Sequence, residues 1–145
     1  MNDDVGIGFY LKKINDFVTA NGNNHLKELD MTVSQMHILM FVVHSEESAV
    51  LQKDIERFFN LKHPTLVGLL KRMEKKELIR VEKNPEDRRG NRVAVLEKGM
   101  RTAAELAEGR KYMDDILTRD LSEKQKNELR ELLHIIYTKT CADNC

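Results

Sequence analysis

The segment that most constrains the fold is residues 51–78, which contains two short helical patterns separated by a tight turn. In the second pattern the apolar residues recur at i, i+3, i+4 and i+7, and they are Leu66, Leu69, Leu70 and Met73. Pro64 suits the first position of this helix, where its missing N–H costs nothing. The first pattern, LQKDIERFFN, also has its apolar residues on one face. Two short helices joined by a tight turn predict a helix-turn-helix unit.

A charged turn follows, between two segments of alternating pattern. Residues 79–83 (IRVEK) and residues 92–96 (RVAVL) alternate as strands do, and the turn contains Pro85, Asp87 and Gly90. The sequence therefore predicts a β-hairpin directly after the second helix. The turn does not itself need arginines, which suit either a solvated tip or contacts to phosphate. There are three of them: Arg88, Arg89 and Arg92.

The remaining segments have helical patterns. Residues 5–20 form an amphipathic helix that NGNN is expected to stop. Thr32 is expected to cap a second helix, VSQMHILMFVVH, which is apolar almost all round and therefore buried. Helical spacing returns at residues 98–119, and Ser122 with Gln125 forms a capping box for a last helix. The sequence thus predicts a mainly α protein with a small β-hairpin.

Charge is unevenly distributed although the formal net charge is zero. Residues 51–92 contain 12 Lys and Arg against 7 Asp and Glu, a surplus of five positive charges that the rest of the chain offsets. A basic middle between acidic flanks indicates a polyanionic partner. No apolar run reaches about 18 residues and the N-terminus lacks a signal-peptide pattern, so we expect a cytoplasmic protein with no membrane span.

The helix that begins at Pro64 has an unusual outer face. Gly68 costs about 1 kcal/mol relative to Ala in an exposed helix interior, and its presence permits close approach to the backbone. Thr65 can hydrogen-bond a base edge or a phosphate, and Val67 can contact a thymine methyl. The second half of the face is cationic, with Lys71 and Lys75, and a basic hairpin follows in the sequence. Alone this could be an ordinary surface helix, but in its context it predicts a helix that reads DNA.

These segments together resemble the MarR family of bacterial transcriptional regulators. MTVSQMHIL is similar to the opening of the family's second helix, LKHPTLVGLLKRMEKKELIR to its recognition helix, and DRRGNRVAVLEKG to its wing. The motifs cover about residues 30–100, and the helix layout covers the whole chain. Three departures stand out. Leu96 replaces a Thr that caps the next helix, Glu77 replaces a Gly that ends the recognition helix, and Val67 and Gly68 replace polar or basic residues.

The resemblance implies one domain, residues 1–145, in which residues 30–100 form a winged helix-turn-helix. Residues 1–29 and 101–145 would form a helical dimerisation region. It also implies a homodimer that binds double-stranded DNA at a pseudo-palindromic operator, usually as a repressor, and that a small-molecule effector releases. Two alternatives stay open. One is a winged-helix protein-interaction module without DNA binding, and the other is a metal- or redox-sensing regulator.

The resemblance also assigns residues to DNA contact. The expected contacts lie on the two short helices and the hairpin: Gln52, Lys53, Lys62, His63, Pro64, Thr65, Val67, Gly68, Lys71, Arg72, Asp87, Arg88, Arg89 and Arg92. Within the hairpin, we expect Asp87 to orient Arg89, which would enter a narrow minor groove. Arg88 and Arg92 would contact phosphate or brace the turn.

Effector and metal chemistry are less clearly encoded. The candidate effector residues lie on three helices and are Phe17, Met36, His37, Met40 and Met113, although core packing explains each methionine equally well. The zinc-sensing relatives use a Glu-His pair where this chain has Met36 and His37, and residues 100–119 contain no His. We therefore expect no metal and no cofactor. Cys141 and Cys145 are expected to be free thiols. The chain lacks a Gly-rich phosphate loop and a Gly-x-Ser-x-Gly motif, so an enzyme is not expected.

Overall fold

The computed structural model describes residues 5–87 and 89–140 of the chain. Its elements follow the order α1 (Ile7–Glu28), α2 (Val33–Val43), β1 (Val50–Leu51), α3 (Gln52–Phe58), α4 (His63–Lys75), β2 (Ile79–Lys83), β3 (Asn91–Val95), α5 (Glu97–Thr118) and α6 (Glu123–Thr140). The prediction of a mainly α fold with a helix-turn-helix and a small hairpin is confirmed. The chain forms two compact units, the first ending at Gly109 and the second beginning at Arg110, within α5.

The three strands form an antiparallel sheet in the order β1-β3-β2. β2 and β3 pair from Ile79 opposite Val95 to Lys83 opposite Asn91, which confirms the hairpin. The strand β1 was missed by the sequence prediction, which assigned Leu51 to the helix that follows. In the structure Leu51 pairs with Arg92 on β3. A two-residue strand is too short to produce an alternating pattern, so only its pairing with β3 identifies it.

The core of the first unit lies beneath α2 and α4. The four apolar residues predicted for the inner face of α4 are all buried: Leu66, Leu69, Leu70 and Met73. α2 begins with the predicted cap, since the Gln35 backbone N–H donates to Thr32 Oγ1 at 3.2 Å and the Gln35 side chain accepts from the Thr32 N–H. The expectation that α2 is buried almost all round was wrong. It buries one face, including Ile38 and Leu39, while His37 on another face is exposed.

The expected end of the first helix was also wrong, because α1 continues through NGNN to Glu28. The Asn21 side-chain amide donates to the Phe17 carbonyl at 2.8 Å, so this Asn is accommodated inside the helix. Beyond NGNN, Leu26 is buried at 6% exposure. Continuing the helix to bury Leu26 outweighs the weak helix propensity of Gly and Asn, which costs about 1 kcal/mol or less per residue. The helix ends where Asp30 takes a φ of 51°.

The exit from α4 is a tight left-handed turn. Glu77 has a φ of 59°, a conformation that favours glycine, and the Leu78 N–H donates to the Met73 carbonyl at 3.1 Å. Gly99, near the start of α5, lies against the Leu78 carbonyl so closely that a Cβ there would overlap it. This close approach fixes the start of α5 against the end of α4. One boundary differs slightly from prediction, since α4 begins at His63, one residue before Pro64.

α6 has the capping box that the sequence predicted. The Gln125 N–H donates to Ser122 Oγ at 3.3 Å, and the Ser122 N–H donates to the Gln125 side chain at 2.9 Å. The helix runs for 18 residues and buries none of them. Its apolar side chains include Leu129, Leu132, Leu133 and Ile136, which are all exposed.

Candidate nucleic-acid interface

The helix-turn-helix places the outer face of α4 at the surface. The turn is made by Asn60, whose φ is 49°, and by the Leu61 N–H, which donates to the Glu56 carbonyl at 2.9 Å. Because Leu66, Leu69, Leu70 and Met73 point inward, the opposite face of α4 is left to solvent. The exposed residues predicted to contact DNA on α3, α4 and the turn are Lys53, Lys62, His63, Pro64, Thr65, Lys71 and Arg72.

The middle of this outer face is small and open. Val67 and Gly68 are half-buried. The nearest heavy atom to the position of a Cβ on Gly68 is Nη1 of Arg72, at 3.7 Å. A side chain would fit there without a clash, so packing within the chain does not require the glycine. Contacts within the chain therefore leave the cost of a helical glycine at this place unexplained.

Backbone hydrogen bonds join the described residues of the wing tip, which are residues 84–87 and 89–90. The Asn84 N–H donates to the Gly90 carbonyl and the Gly90 N–H donates to the Asp87 carbonyl, each at 3.0 Å. Asp87 Oδ1 accepts the backbone N–H of Arg89, also at 3.0 Å. Asp87 thus fixes the backbone at Arg89 and leaves the arginine side chain exposed. Arg88, one of the predicted contacts, lies outside the described residues.

Arg92 has a different environment, because it is paired across the hairpin. Its Nε lies 2.6 Å from Glu82 Oε1, and Nε of Arg80 lies 3.1 Å from Glu82 Oε2. The hydrogen bond from Arg92 is the main cause that lowers the pKa of Glu82 below its ordinary 4.5, and the charges of both arginines act in the same direction. Arg92 therefore braces the hairpin, which was one of the two roles considered for it.

Gln52 is the predicted contact that is least accessible. It is 4% exposed, and its side-chain amide donates to Glu56 Oε1 at 3.2 Å and accepts from Asn91 Nδ2 at 3.4 Å. We therefore leave Gln52 out of the proposed contact surface. Sequence reasoning missed Glu56 and Asn91 in this cluster. The i, i+4 spacing of Gln52 and Glu56 was a usable signal, whereas the approach of Asn91 depends on the sheet.

An open, mainly apolar depression of about 550 Å³ lies between α2 and α3. It is lined by His37, Met40, Phe41, His44, Ser45, Phe58 and Phe59. Of the five candidate effector residues, His37 and Met40 line it. Met36 packs against the core, Phe17 lies exposed on α1, and Met113 belongs to the second unit. The structure thus brings together two of the five residues and adds aromatic side chains that the sequence analysis did not select.

Two further findings concern residues 5–87 and 89–140. No group of three or more His, Cys, Asp or Glu side chains among them is arranged to hold a metal ion. None of the helices in this part of the chain is both long and apolar enough to span a membrane. The two cysteines, Cys141 and Cys145, lie outside the described residues.

Comparison with known proteins connects this geometry to a family. A model of the MarR family matches residues 29–90. The chain is 33% identical over 85 residues to the HTH-type transcriptional regulator SarZ of Staphylococcus aureus, covering 59% of this chain. The match spans 56% of SarZ, just over half of its length. The HTH-type transcriptional repressor IacR of Pseudomonas putida is 22% identical over 129 residues, covering 89% of this chain and 76% of IacR.

Solved structures share the fold over nearly the whole chain. The apo form of wild-type MarR from E. coli has a TM-score of 0.74 at 20% identity, covering 93% of this chain and 98% of MarR. The S. aureus MepR–DNA complex has a TM-score of 0.75 at 20% identity, covering 91% of this chain and 98% of MepR. Both matches cover more than nine tenths of the chain, so they extend well beyond residues 29–90.

Proposed function

Because this chain belongs to the MarR family of winged helix-turn-helix transcriptional regulators, we propose that it is a repressor that binds a pseudo-palindromic operator as a homodimer. The observation that carries the proposal is the outer face of α4. That face is exposed, has an unexplained glycine at its centre, and ends in Lys71 and Arg72. Such a face suits a helix that lies in the major groove with its small first half near the base edges.

The contact surface in this proposal has two parts. On α4, Thr65, Val67 and Gly68 approach the base edges, and the exposed cations around them contact phosphate. At the wing tip, the exposed Arg89 enters the flanking minor groove from a backbone that Asp87 holds in place. Lys53, Lys62 and Arg88 are assigned to phosphate as well, because Lys and Arg at such positions supply the salt-dependent part of the affinity.

The proposed dimer rests on the apolar faces of the terminal helices. On α1 and α6 a series of large apolar side chains is 39–73% exposed, including Ile7, Phe9, Leu129, Leu132 and Tyr137. Leaving such a stripe in water is costly, at about 25 cal/mol per Å² of apolar surface. A second copy of the chain would cover it and would also place two α4 helices on successive major grooves, about one helical turn apart.

We also propose that a small amphipathic molecule releases the repressor. The depression between α2 and α3 supports this, because its volume of about 550 Å³ fits a drug-sized ligand and its lining is aromatic with two imidazoles, His37 and His44. A ligand there would contact α3, the helix that precedes the turn into α4. A ligand that binds one arrangement of α3 more tightly than another would shift the position of α4, because it would stabilise the arrangement that it prefers.

The decisive test is a gel shift with the DNA upstream of the protein's own gene, at moderate salt, next to a scrambled DNA of equal length and composition. We expect at least about a thousandfold preference for the native DNA, the lower end of the range of specific over non-specific binding. Sedimentation of the free protein at about micromolar concentration is expected to give a dimer. Equal affinity for both DNAs, or a monomer that binds as well as the dimer, would contradict the proposal.

A further inference from the structure

A cluster of polar side chains joins α3, α4 and β3 at the start of the proposed recognition helix. Gln52 is the first residue of α3, and Glu56 lies one turn later with 21% of its side chain exposed. His63 is the first residue of α4 and its side chain is 66% exposed. Asn91, the first residue of β3, reaches the cluster through Gln52. The cluster therefore links the beginning of α4 to the base of the wing.

Glu56 determines how the hydrogens are placed in this cluster. Its Oε1 lies 2.7 Å from Nδ1 of His63 and 3.2 Å from Nε2 of Gln52. A carboxylate can only accept hydrogen bonds, so the Nδ1 of His63 carries a hydrogen and donates it to Glu56. Nε2 of Gln52 also lies 3.2 Å from Nδ1, but two donors do not bond to each other. That closeness arises because the two groups share one acceptor.

The tautomer of His63 follows from this bond. When the ring is neutral it has one N–H, and a hydrogen on Nδ1 leaves Nε2 as an acceptor with no hydrogen. An acceptor nitrogen cannot bond a phosphate oxygen, which is itself an acceptor. When the ring takes up a second proton, Nε2 becomes a charged donor that suits a phosphate. Because the ring is largely exposed, this change takes place on the DNA-facing side of α4.

We propose that Glu56 is a positioning residue for DNA binding, which holds His63 in the Nδ1–H tautomer so that His63 gains a phosphate contact only on protonation. Operator binding then tightens as pH falls. The inference rests on the proposed function, since it assumes that α4 meets DNA. The charged groups next to His63 are Glu56 from α3 and Lys62, its neighbour at the start of α4. Asn91 from β3 is uncharged, and Arg92 after it is paired with Glu82.

The tautomer can be tested without DNA. Two-dimensional ¹H–¹⁵N spectra of the imidazoles of the full chain, at about pH 8 where rings are mostly neutral, are expected to show Nδ1–H for His63. Glu56→Ala removes the acceptor, so the Nδ1–H signature should be lost. Glu56→Gln keeps an acceptor of the same length and is expected to retain it. A wild-type His63 with its hydrogen on Nε2, or a signature that survives in Glu56→Ala, would overturn the proposal.

The second test measures operator affinity against salt at about pH 8 and about pH 5.5, the window in which imidazole changes charge. The wild type is expected to bind more tightly at the lower pH by roughly tenfold per subunit, or about a hundredfold for the dimer, on the scale of one charge-assisted hydrogen bond in each subunit. Its salt dependence should be steeper there by about one unit per subunit. The His63→Gln variant retains any pH response that the other histidines contribute. It is expected to lack the tighter binding and the steeper salt dependence that protonated His63 adds at the lower pH.

The variants at Glu56 separate the tautomer from simple charge. Glu56→Ala and Glu56→Gln remove the same negative charge, so both gain general affinity for DNA. Only Glu56→Ala frees the ring to place a hydrogen on Nε2 at about pH 8, so its pH response should be smaller than that of Glu56→Gln. Equal pH responses in wild type and His63→Gln would overturn the inference while operator binding itself stands. A wild type that binds no operator at either pH would instead contradict the proposed function, and the imidazole spectra would still decide the tautomer.

Discussion

The winged region, residues 30–100, and the terminal helix α6 use their apolar side chains in opposite ways. Every buried apolar side chain among the described residues lies between Leu26 and Leu106. α6 buries none of its 18 residues, although about a third of them are apolar. Most of the stability of a helix in a protein comes from packing of its apolar face. The difference teaches that the winged region buries its apolar side chains within one chain, whereas the apolar side chains of α6 stay exposed in that chain.

The largest effect is expected from a substitution on the exposed apolar face of α6, and it tests the contrast between the two regions. Leu133→Asp puts a charge into the exposed apolar face where we place the dimer interface, and burying an unpaired carboxylate there is strongly unfavourable. We expect the dimer to dissociate and operator affinity to fall about a hundredfold or more, because two linked half-sites become independent. Sedimentation and gel shifts measure the two effects.

The matched control is Lys124→Asp, which introduces the same carboxylate at an exposed polar position of α6. It should leave the dimer intact. If Leu133→Asp remains a dimer that binds operator normally, then the interface does not include this face, and the contrast between the two regions has another cause.

The next largest effect is expected on the stability of the winged region, at Gly99. In Gly99→Ala the new Cβ would overlap the Leu78 carbonyl and lie 2.8 Å from Val95 Cγ1. Backbone cannot move aside cheaply, so we expect a loss of about 1–3 kcal/mol or more in the free energy of unfolding. Thermal denaturation followed by circular dichroism measures it.

Gly68→Ala is the matched substitution on α4, where a Cβ meets nothing closer than 3.7 Å. This variant should be stabilised by about 1 kcal/mol, and it should bind operator less tightly because the methyl occupies the face that approaches DNA. Equal melting of the two variants would show that the packing at Gly99 is not what holds α5 against α4.

A third prediction separates DNA contact from stability inside the winged region. Arg89→Ala should weaken operator binding by about 1–3 kcal/mol, the scale of one specific contact, because the exposed side chain is lost while Asp87 still holds the backbone. Melting should be nearly unchanged, since an exposed turn arginine contributes little to folding.

Arg92→Ala is expected to behave in the reverse manner, with a lower melting temperature because Glu82 loses the closer of its two arginine partners. Calorimetric melting and fluorescence anisotropy on one operator distinguish the pair. An Arg89→Ala variant that binds as the wild type does but melts earlier would assign the wing tip a structural role.

A smaller effect is expected at the exit of α4. Glu77 has a φ of 59°, where a Cβ causes strain. Glu77→Gly should therefore stabilise the winged region by up to about 1 kcal/mol and leave operator binding unchanged. Lys75→Gly, two residues earlier in a helical conformation, should instead lose about 1 kcal/mol. Urea denaturation of both variants checks the sign, and a Glu77→Gly variant less stable than wild type would contradict the strain argument.

The smallest expected effect is on the stability of the folded protein in acid. Since Arg92 lowers the pKa of Glu82, the ionised carboxylate stabilises the folded state at pH values above its ordinary 4.5, and this contribution is lost as pH falls below that value. Glu82→Gln should therefore melt slightly earlier than wild type at neutral pH. The difference should disappear in acid, below the lowered pKa. A difference that persists unchanged into acid would mean that packing rather than charge links the two strands.

Much of the fold could be predicted from local pattern. The core face of α4, the Thr32 and Ser122 caps and the hairpin each depend on residues close in sequence, whose spacing dictates which face is buried. The prediction that α1 ends at NGNN failed because it used local propensity alone. The burial of Leu26, which depends on a long-range contact, outweighs that propensity. The strand β1 was not predicted for a related reason, because Val50 becomes a strand residue only by pairing with Val93.

The sequence alone determined the order of the elements, the inner face of α4 and the basic surface beside it, because helical and strand periods and charge are local properties. Tertiary structure alone decided which of those polar residues remain exposed and which are paired within the protein. Gln52 and Arg92 are engaged within the protein, whereas Arg89 is exposed, and Glu56 meets His63 across the turn. The physical reason is that a side chain's partners depend on which distant segments fold beside it, and no local pattern records them.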